Sequence, residues 1–290
     1  MNPEKPLKSI FKLAIKKLRV CLTLLFIITA LSVKGQEDEK YFETYTDFKT
    51  NDTSYTFLEK NYLKAGPNND SKTIAVLEIG EKLILNATYN NENNDVRPSY
   101  YQVKYQDKIG YIKAESLSLT KLKANKKKTY FLFKLKTNKD SSTSSIIIRE
   151  VKANKMITDF NTILQGDMFL LKLSNNKGLD SVDQLIVIDY ISEACGAEGG
   201  ETFFTWNSEG IKLLAHLSSI GDAGVFSLDE RLIFPSDTDG LKGALIFKSE
   251  MYEMLDEETN WIKSTTEERK YLWVKGKIVP EFRAKPKEDY

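Results

Sequence analysis

Short β-type runs, broken at close intervals by turn residues, constrain this chain more than any other feature. Before residue 120 no stretch sustains a helical period, whereas Tyr100-Tyr-Gln-Val-Lys-Tyr105 sets Tyr101, Val103 and Tyr105 on one face of an extended strand and Gln102 and Lys104 on the other. From Thr129 the runs Tyr130–Leu135, Ser145–Val151, Met168–Leu173, Gln184–Tyr190, Glu201–Trp206, Ile211–Leu217, Arg231–Phe234, Leu241–Lys248 and Lys270–Val274 read as further strands. Turn chemistry separates them: Asn138-Lys-Asp-Ser, Asn175-Asn-Lys-Gly178, Asn207-Ser-Glu-Gly210, Asp237-Thr-Asp-Gly240 and Lys275-Gly-Lys. Helix is expected only around Ile157–Leu164 and Met251–Thr259. Strands this close together favour antiparallel meanders over strand-helix-strand units, so the expected fold is mainly β.

The 290 residues are 41% apolar and 11% aromatic, enough for a buried core, and the length fits about two domains. The net charge of +1 excludes a nucleic-acid binder that works by bulk positive charge. That sum hides an asymmetry. Positions 1 to 35 hold seven of the 42 basic residues and one of the 41 acids, so 35 basic and 40 acidic residues remain, a net of −5. Basic residues from Lys5 to Arg19, the uncharged run Val20–Val33 and the polar sequence after Gly35 have the order of a secretory signal peptide. The run of 14 is short for a membrane span, which needs about 20 apolar residues, so cleavage near Gly35 and no stable span thereafter are expected. Cleavage removes Cys21 and leaves Cys195 without an intramolecular partner. A periplasmic, secreted or cell-surface bacterial protein is the expected setting.

After a linker at 36–53, three linked segments stand out: Leu63-Lys-Ala-Gly-Pro67, Thr73-Ile-Ala-Val-Leu-Glu-Ile-Gly80, and Tyr100-Tyr-Gln-Val-Lys-Tyr105 with Asp107-Lys-Ile-Gly-Tyr-Ile112. In kind and order they resemble the bacterial SH3 (SH3b) family over residues 54–120. The family favours Arg at the position of Lys64 and Trp at that of Tyr100, and the loop Ala87–Ser99 is longer than usual. The resemblance implies a small SH3-like barrel that recognises cell-wall peptidoglycan or a peptide. Tyr101, Val103, Ile74, Leu77 and Ile112 are expected in its core, while Lys64, Tyr89 and Tyr100 are the candidate ligand contacts, through one cation and two amphipathic rings. Lys121–Lys128, with five lysines in eight residues, reads as an exposed basic linker to a larger antiparallel β-rich domain at 129–290. That domain resembles no family and is assigned a partner or envelope component as its ligand.

The competing function is a cell-wall hydrolase with its activity in 129–290. SH3b domains often precede Cys-His endopeptidases, so Cys195 and His216 are the alternative catalytic pair. Their setting fits poorly: Glu193 and Glu198 would raise a thiol pKa, and His216 sits in the apolar run Ile211–Leu217. One histidine and one cysteine beyond the signal leave too few ligands for zinc, and Asp237-Thr-Asp-Gly240 lacks the first and twelfth ligands of a calcium loop. No metal or cofactor is expected. Asp189, Glu193, Glu201, Asp222 and Glu230 are candidates for carboxylate chemistry, and Ser192–Glu201, with three glycines, is the loop where a ligand of the larger domain is expected.

Overall fold

The computed structural model describes residues 40–44, 48–89, 98–137, 144–192, 194–256, 258–259 and 261–282. Positions 1–39 with Cys21, residue Glu193 and positions 90–97 of the Asn-rich loop lie outside them. In chain order, β1 (Phe42–Glu43) comes first, followed by β2 (Thr53–Thr56), β3 (Lys60–Lys64), β4 (Thr73–Glu78), β5 (Lys82–Tyr89), β6 (Tyr100–Tyr105) and β7 (Lys108–Lys113). A 3₁₀ turn at Ala114–Ser116 leads into β8 (Leu117–Ser118). Strands β2 to β8 form one antiparallel sheet in the order β4-β3-β7-β6-β5-β2-β8. Its inner face carries Leu63, Leu77, Leu83, Leu85, Tyr101, Val103 and Ile112, the alternate residues that a period of two sends to one side. Close approach is built in at Gly110, where a Cβ would stand 2.7 Å from the Lys64 carbonyl and 2.8 Å from Leu63 Cγ.

Next come β9 (Lys121–Lys123), β10 (Thr129–Thr137), β11 (Ser144–Lys152) and β12 (Lys155–Ile163), a four-stranded sheet in the order β12-β11-β10-β9. The remaining strands are β13 (Met168–Ser174), β14 (Gln184–Tyr190), β15 (Glu198–Asn207), β16 (Gly210–Asp222), β17 (Phe226–Ile233), β18 (Ala244–Asp256), β19 (Trp261–Val274) and β20 (Lys277–Val279). With β1 paired to β13 at its edge, they make a nine-stranded antiparallel meander. The protein is therefore mainly β, with several antiparallel sheets and, among the described residues, no α-helix and no helix long and apolar enough to cross a membrane.

Three cores tie the body together, and Tyr41–Tyr290 is one compact unit. Phe131, Phe133, Ile146 and Ile148 of the four-stranded sheet meet Phe169, Ile186, Ile188, Phe204 and Trp206 of the nine-stranded one. Trp206 packs edge-on to Phe131 at 5.1 Å and donates its indole N–H to Glu150 at 2.9 Å. On its other side the nine-stranded sheet buries Leu185, Val187, Phe203, Leu217, Leu232, Phe247 and Trp273. Strand β14 thus feeds both cores alternately, which is why Leu185-Ile-Val-Ile188 is an unbroken apolar run. The opposite face of the four-stranded sheet, through Tyr130, Leu132 and Val151, covers Phe57 and Ile79 of the small sheet. Arg149 seals that junction, donating to the Phe57 carbonyl at 2.7 Å and to Asp159 through two nitrogens at 2.7 and 2.6 Å, with its guanidinium 4.0 Å from the Phe57 ring centroid.

Two expectations of helix are corrected. Ile157–Leu164 falls in β12 and the residue after it, and Met251–Thr259 falls in the end of β18 and its turn. Both segments find strand partners on the neighbouring hairpin arm, and ladder pairing outweighs a weak local helical spacing. The lysine run departs from an exposed linker only at its start, since Lys123, Lys126, Lys127 and Lys128 are exposed. Lys121–Lys123 is a strand paired to β10, and the Lys121 ammonium donates to the Gly80 carbonyl at 2.8 Å and lies 4.0 Å from the centroid of the Tyr130 ring.

Candidate functional site

The register of the small sheet places Lys64 and Tyr100 on its outward face, while the side chain of Tyr89 lies outside what the structure describes. Tyr100 pairs across the sheet with Tyr89 on β5 and Lys113 on β7, and Lys64 pairs with Tyr111, which pairs in turn with Gln102. Tyr100 is nevertheless buried, a departure from its expected place in an open groove. Its hydroxyl donates to Asn69 Oδ1 at 2.9 Å, in the loop that follows β3. The Lys64 ammonium donates to the carbonyls of Asn69 and Ser71 in that same loop, at 3.1 and 3.2 Å. Lys64 and Tyr100 therefore converge on one loop and hold it down, and the accessible part of the face belongs to Tyr62, Val76, Ile84 and Ile109, all exposed, with Tyr111 half-buried and bonded through its hydroxyl to Gln102 at 3.1 Å. Residues of strand alternation on the solvent side are the signal for this surface; singling out Lys64 and Tyr100 by family position pointed to the loop clamp instead.

In the larger sheet Cys195 and His216 are not brought together. Exposed Cys195 lies in the turn between β14 and β15, where Gly196 N–H donates to the Gly221 carbonyl at 2.9 Å. Gly221 is five residues beyond His216 on β16, about 16 Å along an extended strand. The imidazole is engaged elsewhere: Nδ1 shares a 2.8 Å hydrogen bond with Thr202 Oγ1, Nε2 lies 3.6 Å from Glu198 Oε1, and the Tyr190 ring stands edge-on at 6.1 Å. Ser218 extends the chain, its hydroxyl donating to Glu198 at 3.0 Å and its backbone N–H to Glu230 Oε2 at 3.0 Å. Burial pushes the Tyr190 hydroxyl above its usual range. A polar line from Tyr190 to Glu230 thus crosses four strands beside the glycine-rich turn. Sequence reasoning found His216, Glu230 and the turn but missed Thr202 and Ser218, which register alone sets opposite or next to His216. Just past that turn, in β15, Gly200 has φ +116°, and a Cβ there would collide with the Leu217 carbonyl oxygen.

Among the carboxylates, Asp189 and Glu201 are direct cross-strand partners, and the Lys172 ammonium reaches Asp189 at 2.7 Å. Burial first, and the Asp189 charge beside it second, push the Glu201 carboxyl above the usual range against the pull of Lys172 and Lys177. Asp222 ends β16 apart from this pair. Asp237 serves its own turn, accepting the Phe234 N–H at 2.9 Å and pairing with Lys177 at 3.2 Å. Among the described residues no three His, Cys, Asp or Glu side chains cluster as metal ligands.

The fold defines the class, an antiparallel all-β protein with a small sheet and a large one joined through a third. No protein-family model and no curated protein matches the chain.

Proposed function

We propose that this is an exported bacterial recognition protein that is not an enzyme: its SH3-like small sheet binds cell-wall peptidoglycan or a peptide, and the larger β region binds a second partner of the envelope. The observation that carries this reading is the outward face of the small sheet, where Tyr62, Val76, Ile84, Ile109 and Tyr111 stand among lysines while the inner face is a dry core. Exposed aromatic and aliphatic side chains on a rigid sheet are a surface that a chain ligand can lie across. Retention of the chain from Gln36 on purified peptidoglycan tests it. Binding that drops at least about tenfold in Tyr62→Ala with Ile109→Ala supports the reading, since the loss of two exposed anchors is of that order. No retention of the wild type overturns it. The whole chain is the right reagent, because an isolated small sheet would expose Phe57 and Ile79.

A second reading, a carboxylate-based cell-wall hydrolase, draws on the Asp189–Glu201 pair and the raised Glu201 carboxyl, the unlike environments that acid-base chemistry needs. Lysis of wall substrate in a gel, abolished in Glu201→Gln, would establish it in place of the binding role.

A further inference from the structure

Two exposed apolar patches carry charges of opposite sign. On the outward face of the small sheet, Val76 is 61% exposed, with Tyr62, Ile84 and Ile109 also open to solvent. The same face bears Lys60, Lys64, Lys82, Lys104 and Lys113 against Glu78 and Glu115, the latter 3.5 Å from the Lys113 ammonium, five positive charges to two negative. The second patch is the far end of the β18–β19 hairpin with the adjoining β16–β17 turn, to which it is tied by the Met254 N–H donated to the Val225 carbonyl at 2.7 Å. There Trp261 is 64% exposed, and Val225, Leu255 and Ile262 are exposed with it. The described charges around them are Asp222, Glu253, Asp256 and Glu258 against Lys263, four negative to one positive. These two regions hold eight of the 17 large apolar side chains that are exposed among the described residues.

We propose that the acidic hairpin end of one copy docks on the lysine-bearing face of the small sheet of a second copy, head to tail. Charge complementarity selects this occupant: either patch meeting its own image would oppose like charges, whereas the two different patches pair in sign and both bring apolar groups to bury. The hairpin end is open to a partner because β19 from Trp261 to Thr266 is exposed at every position. A contact between different surfaces leaves a free patch at each end, so it propagates into chains or closes into a ring. It also covers the face assigned to the wall ligand, so assembly and ligand compete.

Sedimentation velocity of the chain from Gln36 over a concentration series tests the assembly. The expected result is an average mass that rises with concentration and falls back in high salt, where exposed charges are screened. The pair K82E/K104E on the face and the pair E258K/W261A on the hairpin are each expected to weaken association by about tenfold or more. All four side chains are exposed, so unchanged melting curves show that the variants fold. Mixing K82E/K104E with E258K/W261A leaves one intact patch of each kind and is expected to yield heterodimers. A wild type that stays monomeric at every concentration overturns the proposal, as does association sensitive to only one of the two pairs. Capture of the monomer by phosphatidylcholine vesicles through Trp261 would assign the hairpin to a lipid surface and also overturn it. Retention on peptidoglycan is measured at concentrations where the protein is monomeric, so failure of assembly and failure of ligand binding are separate results.

Discussion

Strands β6 and β14 both feed apolar side chains into a core, yet β6 does so at alternate positions and β14 at every position from Leu185 to Ile188, and they belong to opposite kinds of sheet. In β6, Tyr101 and Val103 face a core while Gln102 and Lys104 face outward. In β14, Leu185 and Val187 enter one core and Ile186 and Ile188 the other. A sheet buried on one side keeps its second face for a ligand or a partner. A sheet buried on both sides spends its side chains on packing, and polar chemistry is left to its ends, as in the His216–Glu198–Ser218 line.

The sharpest test of this contrast is in the two-sided sheet. Trp206→Ala should cost about 4 kcal/mol in denaturant unfolding, from the cavity beside Phe131 and the loss of the bond to buried Glu150. Next is the junction between the small and four-stranded sheets. Arg149→Ala should cost about 3 kcal/mol, since it leaves Asp159 and the Phe57 carbonyl without their donor, and hydrogen exchange should quicken first around Phe57. Smaller again is a pH effect at the same junction. Burial first, then Glu81, raises the Tyr130 hydroxyl from 10.0 to about 12. The unfolded chain loses this proton first, so stability present below pH 10 declines as pH rises toward 12, and Tyr130→Phe should flatten that decline in melting curves. Least of all, Tyr62→Ala on the open face should change stability by under about 0.5 kcal/mol. A loss above about 2 kcal/mol there would mean that the face is packed in the folded protein, and the contrast would fail.

Much of the fold was legible in the chain. Tyr100–Tyr105 and Gln184–Tyr190 are strands with the expected bounds, and Asn207-Ser-Glu-Gly210 closes the β15–β16 hairpin. Alternation and turn residues are local properties, written in neighbouring positions. What failed depended on partners far along the sequence. Met251 and Leu255 have helical spacing, but β17 and β19 pair on either side of β18. Lys121 has the look of a linker residue until Gly80 and Tyr130 close around it. At the candidate sites, residue type identified Lys64, Tyr100 and His216 as polar groups in unusual settings, and only the folded contacts showed that Asn69 occupies the first two and Thr202 with Glu198 the third.

The amino-acid order by itself determined that this protein is built of antiparallel strands, because a side-chain period of two and turn-forming residues act over a few bonds. It also marked Tyr101, Val103, Leu77 and Ile112 as inward residues of the small sheet, since burial of one face selects the register, whereas Ile74 is half-buried beside them. The tertiary structure alone decided that β14 and β15 of the nine-stranded sheet are covered on both sides, that a third sheet joins it to the small one through Arg149, and that Cys195 and His216 stand apart. Those outcomes rest on contacts between residues tens of positions apart, whose free energy comes from apolar area and buried charge meeting in space, and no local pattern encodes which surfaces meet.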